Sequence, residues 1–248
     1  MKMRMFAVAC VATAIAGVAG CRSLNSAPPL DLSADGVQGS PVLVSTEGQT
    51  LVYNLRAVEP GRLYRASDFN RTQTGAGSDG SATQPLAFKD GQLFTFLRAL
   101  NIHHVVSLLP PPDYYAEEGY FQFWTKRSGY VITTTSVAVA PDDVYGKDDR
   151  SGVHAAGELL SLMNHRRPED GAVLIHGESG KDAIGVMAAA YELARTSGSE
   201  DESAAWTSVT RRYLASNTLV APQPGSSEVT AASLERIRPE LVFLSKIF

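Results

Sequence analysis

The stretch Leu174-Ile175-His176-Gly177-Glu178-Ser179-Gly180-Lys181-Asp182-Ala183-Ile184-Gly185 decides how this chain is read. Residues 172–175 are all apolar, which suits a strand buried on both faces. Gly177 and Gly180 then mark a loop. A helix is expected over 184–196, with Val186, Met187, Ala190 and Leu193 turned inward. Strand, glycine loop and helix in that order predict an anion cradle, because the first N–H groups of a helix have no partner inside it.

Outward from that stretch, elements alternate. Leu93, Phe96, Leu97 and Leu100 fall on one helical face and predict an amphipathic helix over 88–100. A buried strand is expected over 103–109, ended by Pro110-Pro111-Pro112. A helix over 113–128 follows, with Phe121 and Trp124 inward, then a strand over the Val-, Ile- and Thr-rich 130–139. Residues 151–164 read as a helix whose core face is Val153, Ala156, Leu159, Leu160 and Met163. Residues 50–58 and 61–66 read as strands joined at Pro60-Gly61, and 202–216 and 231–248 as helices, the last broken at Pro239. The Gly- and Ser-rich 70–83 reads as a surface insertion. Strands alternating with helices predict an α/β fold with parallel strands and right-handed crossovers. Ligands in such sheets bind beyond the carboxyl ends of strands, where the Gly177 loop falls.

The central stretch resembles the signature of the cysteine-dependent protein tyrosine and dual-specificity phosphatases, His-Cys-x5-Arg, in its Gly-Lys-Asp-Arg-Thr-Gly variant. His176, Gly180, Lys181, Asp182 and Gly185 fall in register with it. Residues 58–67 (Val-Glu-Pro-Gly-Arg-Leu-Tyr-Arg-Ala-Ser) and 100–108 (Leu-Asn-Ile-His-His-Val-Val-Ser-Leu) resemble two further segments of the family. Pro141-Asp142-Asp143 stands where its general-acid loop is usually found. The resemblance implies a largely parallel sheet of four to five strands with helices on both faces. It also implies an anion-binding loop made of His176, Gly177, Glu178, Ser179, Gly180, Lys181, Asp182 and Gly185, in which His176 is a half-buried histidine that orders the loop.

Two departures from the family bear on its chemistry. Gly177 stands in place of the nucleophilic cysteine and Ala183 in place of the arginine that grips phosphoryl oxygens. Without a thiolate no phospho-cysteine forms. A lost preorganised donor costs a transition state on the order of 3–4 kcal/mol. The two cysteines of the chain, Cys10 and Cys21, both precede the domain and supply no substitute. The expectation is therefore a pseudophosphatase, with no catalytic residue and Asp142 or Asp143 as an idle remnant of the acid. One rival is a phosphoric ester hydrolase that activates water through Asp142 or Asp143; another is a structural protein without ligand.

Lys2 and Arg4 precede an apolar stretch over 5–19, and Val18-Ala19-Gly20-Cys21 matches a bacterial lipobox. Residues 1–20 thus read as a lipoprotein signal peptide, with Cys21 as the lipidated residue. Residues 21–48 read as a Ser-, Pro- and Gly-rich tether, and 49–248 as the phosphatase-like domain. The expected location is the bacterial cell envelope, outside the cytoplasm. Arg22 after Cys21, in place of an aspartate, points to the outer membrane. Losing residues 1–20 leaves 20 basic against 26 acidic residues, a net charge of −6. That excludes nucleic acid as a natural partner. The expected partners are the membrane, through lipid on Cys21, and a protein or a phosphorylated or anionic ligand. No cofactor or metal is expected, since His103, His104, His154 and His165 lack zinc spacing. Trp124 and Trp206 are expected in the core.

Overall fold

The computed structural model of this chain describes residues 43–44, 50–52, 54–69, 90–139, 151–177, 180, 182–196, 201–217 and 231–248. From the N-terminus, β1 (Leu43–Val44) and β2 (Thr50–Val52) form a small antiparallel pair. There follow β3 (Arg56–Glu59), β4 (Leu63–Ser67), α1 (Gln92–Ala99), β5 (Ile102–Ser107), α2 (Pro111–Ser128), β6 (Thr133–Ser136), α3 (Ser151–Asn164), β7 (Ala172–Gly177), α4 (Ala183–Thr196), α5 (Glu202–Asn217), α6 (Ala231–Arg236) and α7 (Arg238–Ile247). Among the described residues the main sheet has five strands in the order β3-β4-β7-β5-β6. β3 and β4 are antiparallel, and each other neighbouring pair is parallel. Apart from β1, the expected signal segment and tether lie outside the described residues. No helix among the described residues is long and apolar enough to cross a membrane.

The apolar run 172–175 becomes the central strand because it can be buried on both faces. All six residues of β7 are buried. Alternation along the strands sorts their side chains into two cores. Leu63, Val106, Val173 and Ile175 join α3, α4, α5, α6 and α7 on one face. Tyr64, Ala66, Ile102, Val105, Ala172 and Leu174 join α1 and α2 on the other. α4 lies deepest, with every residue from Ala183 to Tyr191 buried. Its small, uniformly apolar first turns are what such a site demands.

Most elements fall where the sequence places them, and the differences have local causes. The strand expected over 50–58 is two strands, parted at Asn54, whose φ of 51° breaks extended backbone. Helix α2 begins at Pro111, two residues before the expected start. Proline is tolerated in a first helical turn, so the prolines end the strand and open the helix together. The break between α6 and α7 falls at Ile237 for the same reason, with Pro239 in the first turn of α7. Strand β6 keeps only four of the ten residues expected, those opposite His104 to Ser107. In α1, Phe94 is buried beside Leu93 and Leu97, while Phe96 and Leu100 are half-buried. Trp206 is buried and Trp124 half-buried.

Candidate functional site

The turn from β7 into α4 gathers His176, Gly177, Gly180, Asp182, Ala183 and Gly185 at the carboxyl end of the central strand. Glu178, Ser179, Lys181, Asp142, Asp143 and Cys21 lie outside the described residues. Gly177 closes β7, where Ser67 of β4 stands opposite it in register. The neighbouring strand is tied in just there, the Leu108 amide donating to the His176 carbonyl at 3.0 Å. Asp182 precedes α4 with a φ of 51°, and its carbonyl accepts from the Val186 amide at 2.9 Å. Ala183 is the first helical residue and is buried.

Gly177 and Gly180 are glycines for different reasons. Gly177 does not take a positive φ, and a Cβ there would meet Ile184 and Leu108 side-chain carbons from 3.4 Å outward. A side chain therefore has room to start, and hydrocarbon is what it would touch. Gly180 takes a φ of +67°, and a Cβ would come within 2.7 Å of the β4 backbone at Ala66 and Ser67. No other residue fits that approach.

The loop is held from below by groups the sequence left without a role. Arg65, 4% exposed on β4, donates through Nη2 to the Gly180 carbonyl. Asn54 Nδ2 donates to the same carbonyl at 3.3 Å, and its Oδ1 accepts from Arg56 Nε at 2.9 Å. Burial, reinforced by Arg56, pulls the Arg65 pKa down to about 10, which leaves it charged at neutral pH. The Gly180 amide turns back to the Gly177 carbonyl at 3.2 Å. Both polar groups of the Gly180 backbone are thus engaged within the protein. An arginine inside the apolar strand Leu63-Tyr64-Arg65-Ala66 was the available signal for this clamp, since arginine is almost never fully buried unless paired.

His176 is more deeply set than the half-buried position expected of it. It is wholly buried and faces α2, two residues beyond Leu174 on the same side of β7. Its ring stacks on Phe69 at 4.3 Å and 20°. Nε2 lies 3.1 Å from Glu117 Oε2, an ion-pair distance, and among the described residues neither ring nitrogen makes a hydrogen bond. His103 stacks against Tyr130, His165 caps back to the Ser161 carbonyl, and His154 is exposed.

The side-chain atoms nearest a Cβ at position 177 are hydrocarbon, from Ile184 and Leu108. No family model matches the chain, and no curated protein matches it. Among solved structures, TpbA of P. aeruginosa is 18% identical over 71% of this chain and 80% of its own, with a TM-score of 0.39.

Proposed function

We propose that this chain is a lipid-anchored envelope protein whose globular part is a degenerate dual-specificity-phosphatase-like domain that binds rather than catalyses. The observation that carries this reading is that Gly177 and Ala183 stand at the cysteine and arginine positions of the signature. Gly177 ends the central strand against Ile184 and Leu108, and Ala183 opens α4 buried. The register of His176, Gly180, Lys181, Asp182 and Gly185 with the phosphatase signature, on a strand, loop and helix, supports the ancestry. The internal engagement of Gly180 supports a protein partner over a tight phosphate site. Lys181 then offers an anion a single point charge, a poor substitute for a bidentate arginine.

Assay of the full-length chain with an aryl phosphate tests the catalytic half. The expected result is no turnover by the wild type and measurable turnover by Gly177→Cys combined with Ala183→Arg, since a Cβ at 177 meets only ordinary contacts. Wild-type turnover that vanishes in Asp142→Asn or Asp143→Asn would replace the proposal with a water-activating hydrolase. A folded but inert double variant would mean that the loop no longer has phosphatase geometry.

A further inference from the structure

Three residues far apart in sequence meet on the α1/α2 side of the sheet, and we propose that they bind a divalent first-row cation, zinc by preference. Asp68 follows β4, Glu117 lies midway along α2, and His176 is the penultimate residue of β7. One ligand atom from each lies within 4.8 Å of the others. Glu117 and His176 are 0% exposed and Asp68 8%.

The chemistry of this cluster asks for a cation. Among the described residues, neither carboxylate oxygen of Glu117 and neither ring nitrogen of His176 has a hydrogen bond, and the two side chains stand at ion-pair distance from each other. A buried carboxylate without hydrogen bonds is among the costlier things a fold can contain. Nε2 and Oε2 face each other at 3.1 Å without hydrogen-bond geometry. That separation suits two donors on one ion, because zinc bonds of ~2.1 Å in a tetrahedron place ligands about 3.4 Å apart. Two carboxylates and one imidazole form a donor set that suits a divalent ion.

The surroundings fit the same occupant. Phe69, itself edge-on to Phe121, stacks on the His176 ring and fixes its plane. An apolar shell of this kind strengthens charge interactions inside it. Ser107 stands opposite His176 in the next strand, buried, and its hydroxyl also lacks a partner. One imidazole with carboxylates favours zinc over magnesium or calcium, which prefer oxygen alone. Three protein ligands leave one position for water. The ion would fasten β4, β7 and α2 together beneath the Gly177 loop. The inference stands independently of the function proposed above, since no step of it uses position 177 or 183.

Zinc titration by calorimetry tests it. The full-length chain carrying C10S and C21S, which remove stray thiols, is stripped with chelator and titrated at neutral pH. One equivalent should bind at micromolar affinity or tighter and raise Tm, and cobalt in its place should give a visible d–d spectrum. Glu117→Gln and Asp68→Asn, both nearly isosteric, should each weaken binding by about tenfold or more. Zinc that neither binds stoichiometrically nor raises Tm in the wild-type cluster overturns the site. So does binding that survives unchanged in a folded Glu117→Gln chain.

Discussion

Gly180 meets two separate demands, and they can be measured apart. Its φ of +67° lies where L side chains are strained, and a Cβ would press to 2.7 Å on backbone atoms of Ala66 and Ser67. Backbone cannot rotate out of the way. Gly61 shares the first demand, with a φ of +76°, but has nothing within 4 Å. Gly180→Ala is therefore expected to cost about 3 kcal/mol, left-handed strain plus overpacking, and Gly61→Ala only the first part, about 1–2 kcal/mol. Urea unfolding of the two variants measures the gap, and equal losses would deny the close approach to β4. At this scale the sequence was half legible. The motif marks Gly177 and Gly180 alike as loop glycines. Only the backbone separates Gly180, which its geometry requires, from Gly177, where a Cβ meets ordinary contacts. The Arg65 clamp was hidden for a similar reason: sequence can flag an arginine in a buried strand without naming the carbonyl it serves.

Edge strand β6 shows what an element needs when its own residues bury little. Its four residues, Thr-Thr-Thr-Ser, are mostly exposed, and among the described residues β5 is its one sheet neighbour. His104 pins it by side chains, with Nδ1 2.6 Å from Thr133 Oγ1 and Nε2 3.1 Å from Thr135 Oγ1. The Thr133 hydroxyl already donates to the His103 carbonyl, so in the neutral ring Nδ1–H donates to it and Nε2 accepts from Thr135. A second proton on Nε2 would reverse the bond to Thr135 and put a charge in a buried site. Burial, with Arg166 adding to it, lowers the His104 pKa to about 4. A folded pKa below the unfolded value of about 6.5 means stability is complete above that value and drains as pH falls toward 4. The loss should be on the order of 2–3 kcal/mol, and His104→Gln should flatten that part of the profile. Urea unfolding at several pH values checks it; parallel profiles for the two chains would refute the assignment. Sequence reasoning found this strand by its Val, Ile and Thr content but overran its ends, because β propensity says nothing about where a partner strand stops. It did better with α3, whose bounds and core face follow from the 3.6-residue repeat alone.

Across the whole molecule, the sheet divides two cores and brings chemistry to one edge of itself, the carboxyl ends of β4, β5 and β7. The loop toward α4 was visible in the sequence because its residues are contiguous. The Asp68, Glu117 and His176 cluster was not, because spacing rules find ligands only within one segment and these come from three. Attachment of the domain to a surface is a property of the entire chain, and its charge constrains how that works. A net charge of −6 after residue 20 gives no attraction to an anionic lipid face. No described helix can span a bilayer. Under the proposed function the attachment must then reside in acyl chains on Cys21, which gain about 0.8 kcal/mol per buried methylene and do not respond to salt. In fractionated cells the wild-type chain should sediment with membranes, resist high salt and dissolve in detergent. Cys21→Ser should shift it to the soluble fraction without changing its unfolding midpoint. A serine variant that still sediments with membranes would end the lipid-anchor reading while leaving the binding domain and its cation site standing.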